Sequence, residues 1–366
     1  MFSRCLKVAI LPLLFGLYGC NSSSSSNNTG TAALPKADYV FSTADKQKLL
    51  VERNEILESV VLSVDDREYN KLNYADEASG GKLLQLESND GEKVTLFIAD
   101  SDNPNAICVI YKSGSDIDAF KCDNSLKTES GDMTLFPMAE SGAKKKVQLE
   151  YATESIEYWE SIGSTVLTPL VTAAGMEIRT SFAFEDYTRQ IVCGGVCAEK
   201  RFSTLGATTY FNLQGIVNSG LPDSVTLVFN NNIGGSGDDE INMYTGLLIR
   251  DSKMKTKVSS IGSVFSGGTD LFSAGVERTL EIRDSSNQLE KNQQIGVHSW
   301  GEGSKTAKDF PYTNVSHRKQ ATYFTKMLGD KGVSFYIYTL DSAPASGAHY
   351  MTRKEMDTYQ FVTEFL

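Results

Sequence analysis

IGSVFSGGTDLFSAGVER, residues 261–278, places one serine, Ser266, between an apolar run and a glycine pair from which a helix can start. Two segments later IGVHSW, residues 295–300, carries a histidine, His298, on an apolar strand. A serine among small residues at a strand-to-helix junction is either a packing device or a nucleophile. Its hydroxyl attacks usefully only when an imidazole removes the proton. Gly267 and Gly268 leave amides unobstructed at the helix start, where the dipole favours a developing negative oxygen. His298 is the base on the second reading, or a buried histidine satisfying a carbonyl on the first.

The segments around this stretch alternate. ATTYFNLQGIV (207–217) and SVTLVFNNN (224–232) are continuous apolar runs, expected as strands buried on both faces. A helix follows, capped by Ser236 or Gly237, with Asp238, Asp239 and Glu240 in its first turn and Lys253 and Lys255 in its last, as the dipole prefers. Ile241, Tyr244, Thr245 and Leu248 fall on one face of it. A short strand near Val258, a short helix from Gly267, and strands in RTLEIRD (278–284) and QIGVHSW (294–300) come next. PYTNVSHRKQATYFTKML (311–328) is an amphipathic helix ended by Gly329, with His317 off its apolar face, and VSFYIYTLD (333–341) is a last buried strand. Strand and helix in alternation mean an α/β domain with a largely parallel sheet.

VTLVFNNNIGG (225–235), the capped helix, VFSGGTDLFSAGVER (264–278), IGVHSW and HYMTRKEMDTY (349–359) stand in the order of the Clp-type serine peptidases, members of the crotonase-like superfold. The chain resembles that family over about residues 225–359. The resemblance implies an α/β crotonase/Clp-like domain, with Ser266 in the place of the nucleophile and His298 in that of the general base. It places the amides of Gly234, Gly235 and Gly267 around the oxyanion, with Ile233 where the family usually has proline. The family also has an acid before its closing threonine motif. TLDSAPASGAHYMT (339–352) offers Asp341 a few residues early and Pro344 at the matched position, so a Ser–His pair without an acid stays open. Relatives form rings, which implies a homo-oligomer acting on a peptide or protein substrate.

The first half reads differently. STADKQKLLVERNEILESVV (42–61) is a charged helical pattern, and KLLQLES, KVTLFIA, AICVIYK, MTLFPMA and KVQLEYA alternate with period two around Asn-Asp-Gly and Ser-Gly turns. That is an antiparallel β-rich α+β module over 38–160. Residues 161–205, with STVLTPLVTAAGMEI as a helix or two strands and CGGVC at 193–197, read as the connection to a second domain at 206–366.

MFSRCLKVAILPLLFGLYGC opens the chain with Arg4 and Lys7, an apolar run from Val8 to Leu17, and Gly19 before Cys20. That pattern is a secretory signal over 1–19 rather than a membrane-spanning helix. Leu17 to Cys20 resembles a bacterial lipobox, which implies lipid on Cys20 and a place in the cell envelope, on the outer membrane facing the periplasm. The serine- and asparagine-rich residues 20–37 read as a flexible tether. In an oxidising compartment the remaining cysteines are expected as the disulfides Cys108–Cys122 and Cys193–Cys197. A net charge of −11 argues against nucleic acid as a partner. Three histidines without H-x₃-H spacing, and no phosphate-loop signature, leave no metal or cofactor expected. The function expected is a lipid-anchored periplasmic serine hydrolase, or a binding and scaffold lipoprotein on a retired peptidase fold.

Overall fold

Period-two alternation in the first half becomes two antiparallel sheets in the computed structural model, which describes residues 34–366 apart from 79, 100–105, 114, 123–127, 131–132, 141–144, 153–158, 160, 174, 195–200 and 286. The leader, Cys20 and most of the tether lie outside the described residues. One sheet has the order β2 (Arg67–Tyr69), β1 (Val61–Val64), β10 (Lys146–Ala152), β9 (Met133–Glu140), β8 (Thr128–Ser130). The other is the meander β3 (Lys71–Ala78), β4 (Gly81–Glu87), β5 (Lys93–Ala99), β6 (Ile107–Lys112), β7 (Ser115–Lys121). Leu84 faces Leu96 and Leu86 faces Val94 across β4 and β5, so one set of alternating side chains enters the core. Cys108 and Cys122 form a disulfide with Cα atoms 5.3 Å apart, as the hairpin spacing required. Cys193 is disulfide-bonded as well, while its expected partner Cys197 lies outside the described residues.

The second half winds between two stacked sets of strands. The six-stranded sheet runs β11 (Thr165–Thr172), β12 (Gly175–Phe182), β14 (Val225–Phe229), β16 (Lys255–Val258), β18 (Arg278–Leu280), β23 (Glu364–Phe365). The five-stranded sheet runs β13 (Phe202–Leu205), β15 (Asn232–Ser236), β17 (Ser263–Phe265), β19 (Ile295–Val297), β22 (His349–Tyr350). Only β11–β12 and β19–β22 pair antiparallel within these two sheets. Between β12 and β13 lies the one-turn helix α2 (Glu185–Tyr187), and α3 (Ala207–Asn218) follows β13. A strand in one sheet, a strand in the other and a helix then recur: β14, β15, α4 (Asp239–Asp251), then β16, β17, α5 (Gly267–Ser273). Beyond the small hairpin β20 (Gly301–Glu302) and β21 (Lys305–Thr306), α6 (Val315–Leu328), α7 (Gly332–Ser342) and α8 (Arg353–Thr358) close the domain. Phe229, Phe272, Phe361 and Phe335 form, in that order, one buried aromatic row with centroid spacings of 6.4, 5.6 and 4.7 Å.

Four expectations are corrected here. Residues 207–217 form α3, not a strand: Ala207, Tyr210 and Leu213 recur at threes and bury against their neighbours. Residues 333–341 form α7, not a strand. Phe335, Tyr336, Thr339 and Leu340 share one buried helical face, so tertiary burial overrides the β preference of Val, Ile and Tyr. Helix α4 is capped by Asp238, whose carboxylate accepts from the amides of Glu240 and Ile241, and it ends at Asp251, so Lys253 and Lys255 lie beyond it. The segment read as a connection supplies sheet strands: β11 and β12 extend the six-stranded sheet and β13 edges the other.

The first helix, α1 (Thr43–Glu58), is capped by Ser42 and packs against this half, with Leu49 beside Tyr210, Ile241 and Tyr244. Arg53 donates to Asp238 at 2.6 Å, with the two side chains 16% and 6% exposed. Among the described residues no helix is long and apolar enough to cross a membrane.

Asp238 thus serves as a cap and as a nearly buried counter-charge. Asp238→Asn keeps a capping oxygen and loses the charge pair; Asp238→Ala loses both. Removing one partner of a buried pair costs about 3–5 kcal/mol and a cap about 1 kcal/mol. Chemical denaturation should therefore rank stability wild type, then Asn, then Ala. An alanine variant as stable as wild type would show that α1 is not anchored through this residue.

Candidate active site

Ser266 is the single residue between β17 and α5, and its backbone has φ 52° and ψ −122°. That is a sharp, sparsely populated turn for a residue with a side chain, of the kind that lifts a serine hydroxyl clear of a strand-to-helix junction. The turn is pinned on both sides. Ser266 N–H donates to the Gly296 carbonyl at 3.3 Å, and the amides of Thr269 and Asp270 donate to the Ser266 carbonyl at 2.9 and 3.2 Å. Thr269 Oγ1 also donates to the Gly296 carbonyl at 2.6 Å, tying the first turn of α5 to the strand that leads to His298.

Neighbouring glycines set the approach of the other segments. A Cβ on Gly235 would lie 3.3 Å from Ser266 Cβ and 3.5 Å from its Oγ, so the backbone there stands against the hydroxyl. A Cβ on Gly267 would meet the Ser236 amide nitrogen at 2.9 Å, so the helix start backs directly onto the β15 lip. Gly234 lies where the β13–β15 register shifts, between the pairs Ser203–Ile233 and Thr204–Gly235, and its own Cβ position faces Phe202. A bulge at that point takes the glycine pair out of regular pairing. Of the three glycines expected around an oxyanion, Gly235 and Gly267 stand beside the serine turn.

His298 follows β19, with its ring stacked on Phe265 at 4.8 Å between centroids. Its Nδ1 lies 2.8 Å from the carbonyl oxygen of Ala345. A carbonyl can only accept, so Nδ1 carries the proton and Nε2 presents a lone pair. Burial holds the imidazole below its ordinary range, opposed by the bond to Ala345. Ser266 and His298 line the same two cavities, of about 280 and 330 Å³. No hydrogen bond joins them or engages the Ser266 hydroxyl among the described residues. A free hydroxyl and a neutral ring with an open lone pair, in one cleft beside backbone amides, can support general-base attack on a carbonyl.

Asp341 is not the third member. It lies at the exposed end of α7, where Lys308 Nζ holds it at 2.7 Å, and the Ala345 carbonyl occupies the position at His298. His317 is wholly buried, not solvated. Its Nε2–H donates to the Ala307 carbonyl at 3.0 Å, and its Nδ1 accepts from the Tyr336 hydroxyl, which accepts in turn from Trp300 Nε1. His349 pairs with Glu355, which closes the capping box of α8.

Sequence reasoning missed five contributors. Asp270 lies four residues after Ser266 on the same short helix and lines the cavity, a spacing that could have flagged it. Asp239 also lines it, although its place in the first turn of α4 explained it as a dipole charge. Asp76 and Glu77, on β3 of the first module, line the second cavity, and no local pattern connects them to Ser266. The Ala345 carbonyl has no side-chain signature.

No family model matches the chain, and no curated protein matches it. Solved structures similar to it include PA4980 of Pseudomonas aeruginosa, at 12% identity over 55% of this chain and 77% of that one, with a TM-score of 0.33. They also include an enoyl-CoA hydratase of Bacillus anthracis, at 12% identity over 56% of this chain and 70% of that one, with a TM-score of 0.32.

The ring of His298 should titrate below 6.5 and, when neutral, carry its proton on Nδ1. Nitrogen-edited NMR of the histidine side chains reads both quantities. A midpoint above 6.5 would contradict the effect of burial on the ring, and a neutral form protonated on Nε2 would contradict the bond to Ala345.

Proposed function

We propose that the chain is a serine hydrolase, most directly a peptidase, with Ser266 as nucleophile and His298 as general base. The observation that carries this reading is the left-handed backbone of Ser266 at the strand-to-helix junction. Strain of this sort persists where the surroundings over-determine it, and it presents the hydroxyl to a cleft. Oγ attacks a substrate carbonyl carbon while Nε2 takes its proton. The C–N or C–O bond then breaks as that proton passes to the departing amine or alcohol, and water repeats the sequence to free the acid and restore the serine. The amides of Gly235 and Gly267 are the groups we assign to the oxyanion, each worth about 10²–10³ in rate. Ala345 does the orienting that a carboxylate does in a triad, without a charge to stabilise the imidazolium.

The anchored form of this reading adds lipid on Cys20, which holds the domain at the periplasmic face of the outer membrane through a tether. Incorporation of labelled palmitate into wild type, absent from Cys20→Ala, is the result expected. The rival reading, a retired fold that binds without hydrolysing, is favoured by one observation: a carbonyl rather than a carboxylate on Nδ1.

A fluorophosphonate probe separates the two. Wild type should be modified on Ser266, Ser266→Ala should not be labelled, and His298→Ala should react about 10²–10⁴ times more slowly. The base works unprotonated and its pKa lies below the ordinary value, so labelling should hold as pH falls through 6.5 and decline only below it. Wild type that is never modified gives the chain to the binding reading.

A further inference from the structure

We propose that the cavity beside Ser266 receives a cationic substrate side chain, lysine or arginine, held by Asp239 and Asp270. This rests on the hydrolase reading and names what should flank the bond attacked. The cavity of about 280 Å³ is walled by Val297, Trp300 and Phe324 and carries both carboxyl groups.

The first turn of α4 contains three consecutive acids, and their partners differ. Asp238 receives Arg53 at 2.6 Å and Glu240 receives Lys319 at 2.6 Å. Asp239, between them, has no cation and no hydrogen bond to its carboxylate among the described residues. Asp270 is likewise without one: Tyr323 and Ser273 hydroxyls reach its backbone carbonyl, not its side chain. Arg250, the guanidinium on α4, is spent on the carbonyls of Ser273 and Met327. Among the described residues, the acids on either side of Asp239 thus have counter-charges, and the two acids that line the cavity have none.

Asp239 is exposed to the cleft and Asp270 half-buried in its wall, and carboxyls crowded by protein without a partner resist ionising. Burial and the charge of Asp238 raise Asp239 to about 6, and burial and the charge of Asp239 push Asp270 well above the ordinary range. A bound ammonium or guanidinium supplies the missing partner and reverses both effects. The walls suit the rest of such a side chain, since apolar surface accepts its methylene stem and the Trp300 ring its charge. Trp300 is held in place by the bond from its Nε1 to Tyr336 at 2.8 Å. On the other side of Ser266, Asp76 and Glu77 extend the acidic lining, and the chain as a whole carries a net charge of −11. Both draw cations towards the cleft.

The test compares two peptidyl aryl phosphonates that differ only in the residue next to the phosphorus, lysine-like in one and norleucine-like in the other. Wild type should react with the lysine-like probe about tenfold faster or more, and in the Asp239→Asn Asp270→Asn double variant the ratio should fall to near one. Equal rates in wild type overturn the cation pocket while leaving Ser266 a nucleophile. If neither probe reacts, the hydrolase reading fails, and benzamidine binding to Ser266→Ala decides the pocket by calorimetry. Binding that weakens about tenfold or more on adding Asp239→Asn supports the pocket; no binding, or binding indifferent to that change, ends it.

Discussion

The constraint on which this molecule turns is a single peptide conformation, that of Ser266. A side chain at φ 52° costs about 1–3 kcal/mol relative to ordinary backbone. The surroundings offset it with hydrogen bonds that a relaxed turn could not all make. The Gly296 carbonyl takes both the Ser266 amide and the Thr269 hydroxyl, so the serine turn and the strand before His298 share one acceptor. Close approach completes the clamp. A side chain on Gly296 would put its Cβ 2.5 Å from the Phe265 ring, and that ring carries the stacked imidazole. Serine, histidine and glycine lip are therefore not three independent features; moving any one strands the others.

The two-sheet winding is what brings these segments together. Residues 232–236, 263–265 and 295–297 are far apart in sequence, yet they are adjacent strands β15, β17 and β19 of one sheet. Each ends at the same edge, so the residues just past the strands collect there: the glycine lip, Ser266 and His298. The β-rich module is not remote from this edge. Its strand β3 places Asp76 and Glu77 in the cleft wall, and Ser164 fixes Asp76 through a 2.6 Å hydrogen bond while its amide donates to the Thr204 carbonyl of β13. What reads as an accessory module thus closes one side of the site.

How much of this was legible follows from which signals are local. The serine–glycine turn, the strand with its histidine, the helix at 43–58 and the hairpin cysteines depend on neighbours in sequence, and they read directly. The segments at 207–217 and 333–341 did not. In each, apolar or small residues also occupy the partly exposed positions, so the run carries no clear period, and β-branched and aromatic residues favoured the wrong element. His317 misled for a related reason: its helix looks amphipathic, but Tyr312, Trp300 and Tyr336 enclose the face that sequence assigned to solvent. The partner of His298 was unreadable in principle, because a backbone carbonyl has no residue type. Searching for an acid led to Asp341, whose position past the buried face of α7 commits it to a surface lysine.

An imidazole without a carboxylate behind it raises the question of what balances its charge in the transition state. Ala345 orients the ring but adds no full negative charge, so the proton taken from Ser266 must be held with less help than in a triad. Burial, which keeps the ring neutral at rest, makes that worse, since it opposes the imidazolium too. The carboxyls across the cavity bear on this. Burial raises the carboxyls of both Asp239 and Asp270, with the charge of Asp238 adding to the first and that of Asp239 to the second. On the cation-pocket proposal, a bound ammonium or guanidinium favours their ionised forms but cancels much of their charge, so they do not stand in for the missing acid. For the proposed hydrolase, the rate then rests mainly on the backbone amides and on the serine turn that the Gly296 carbonyl pins.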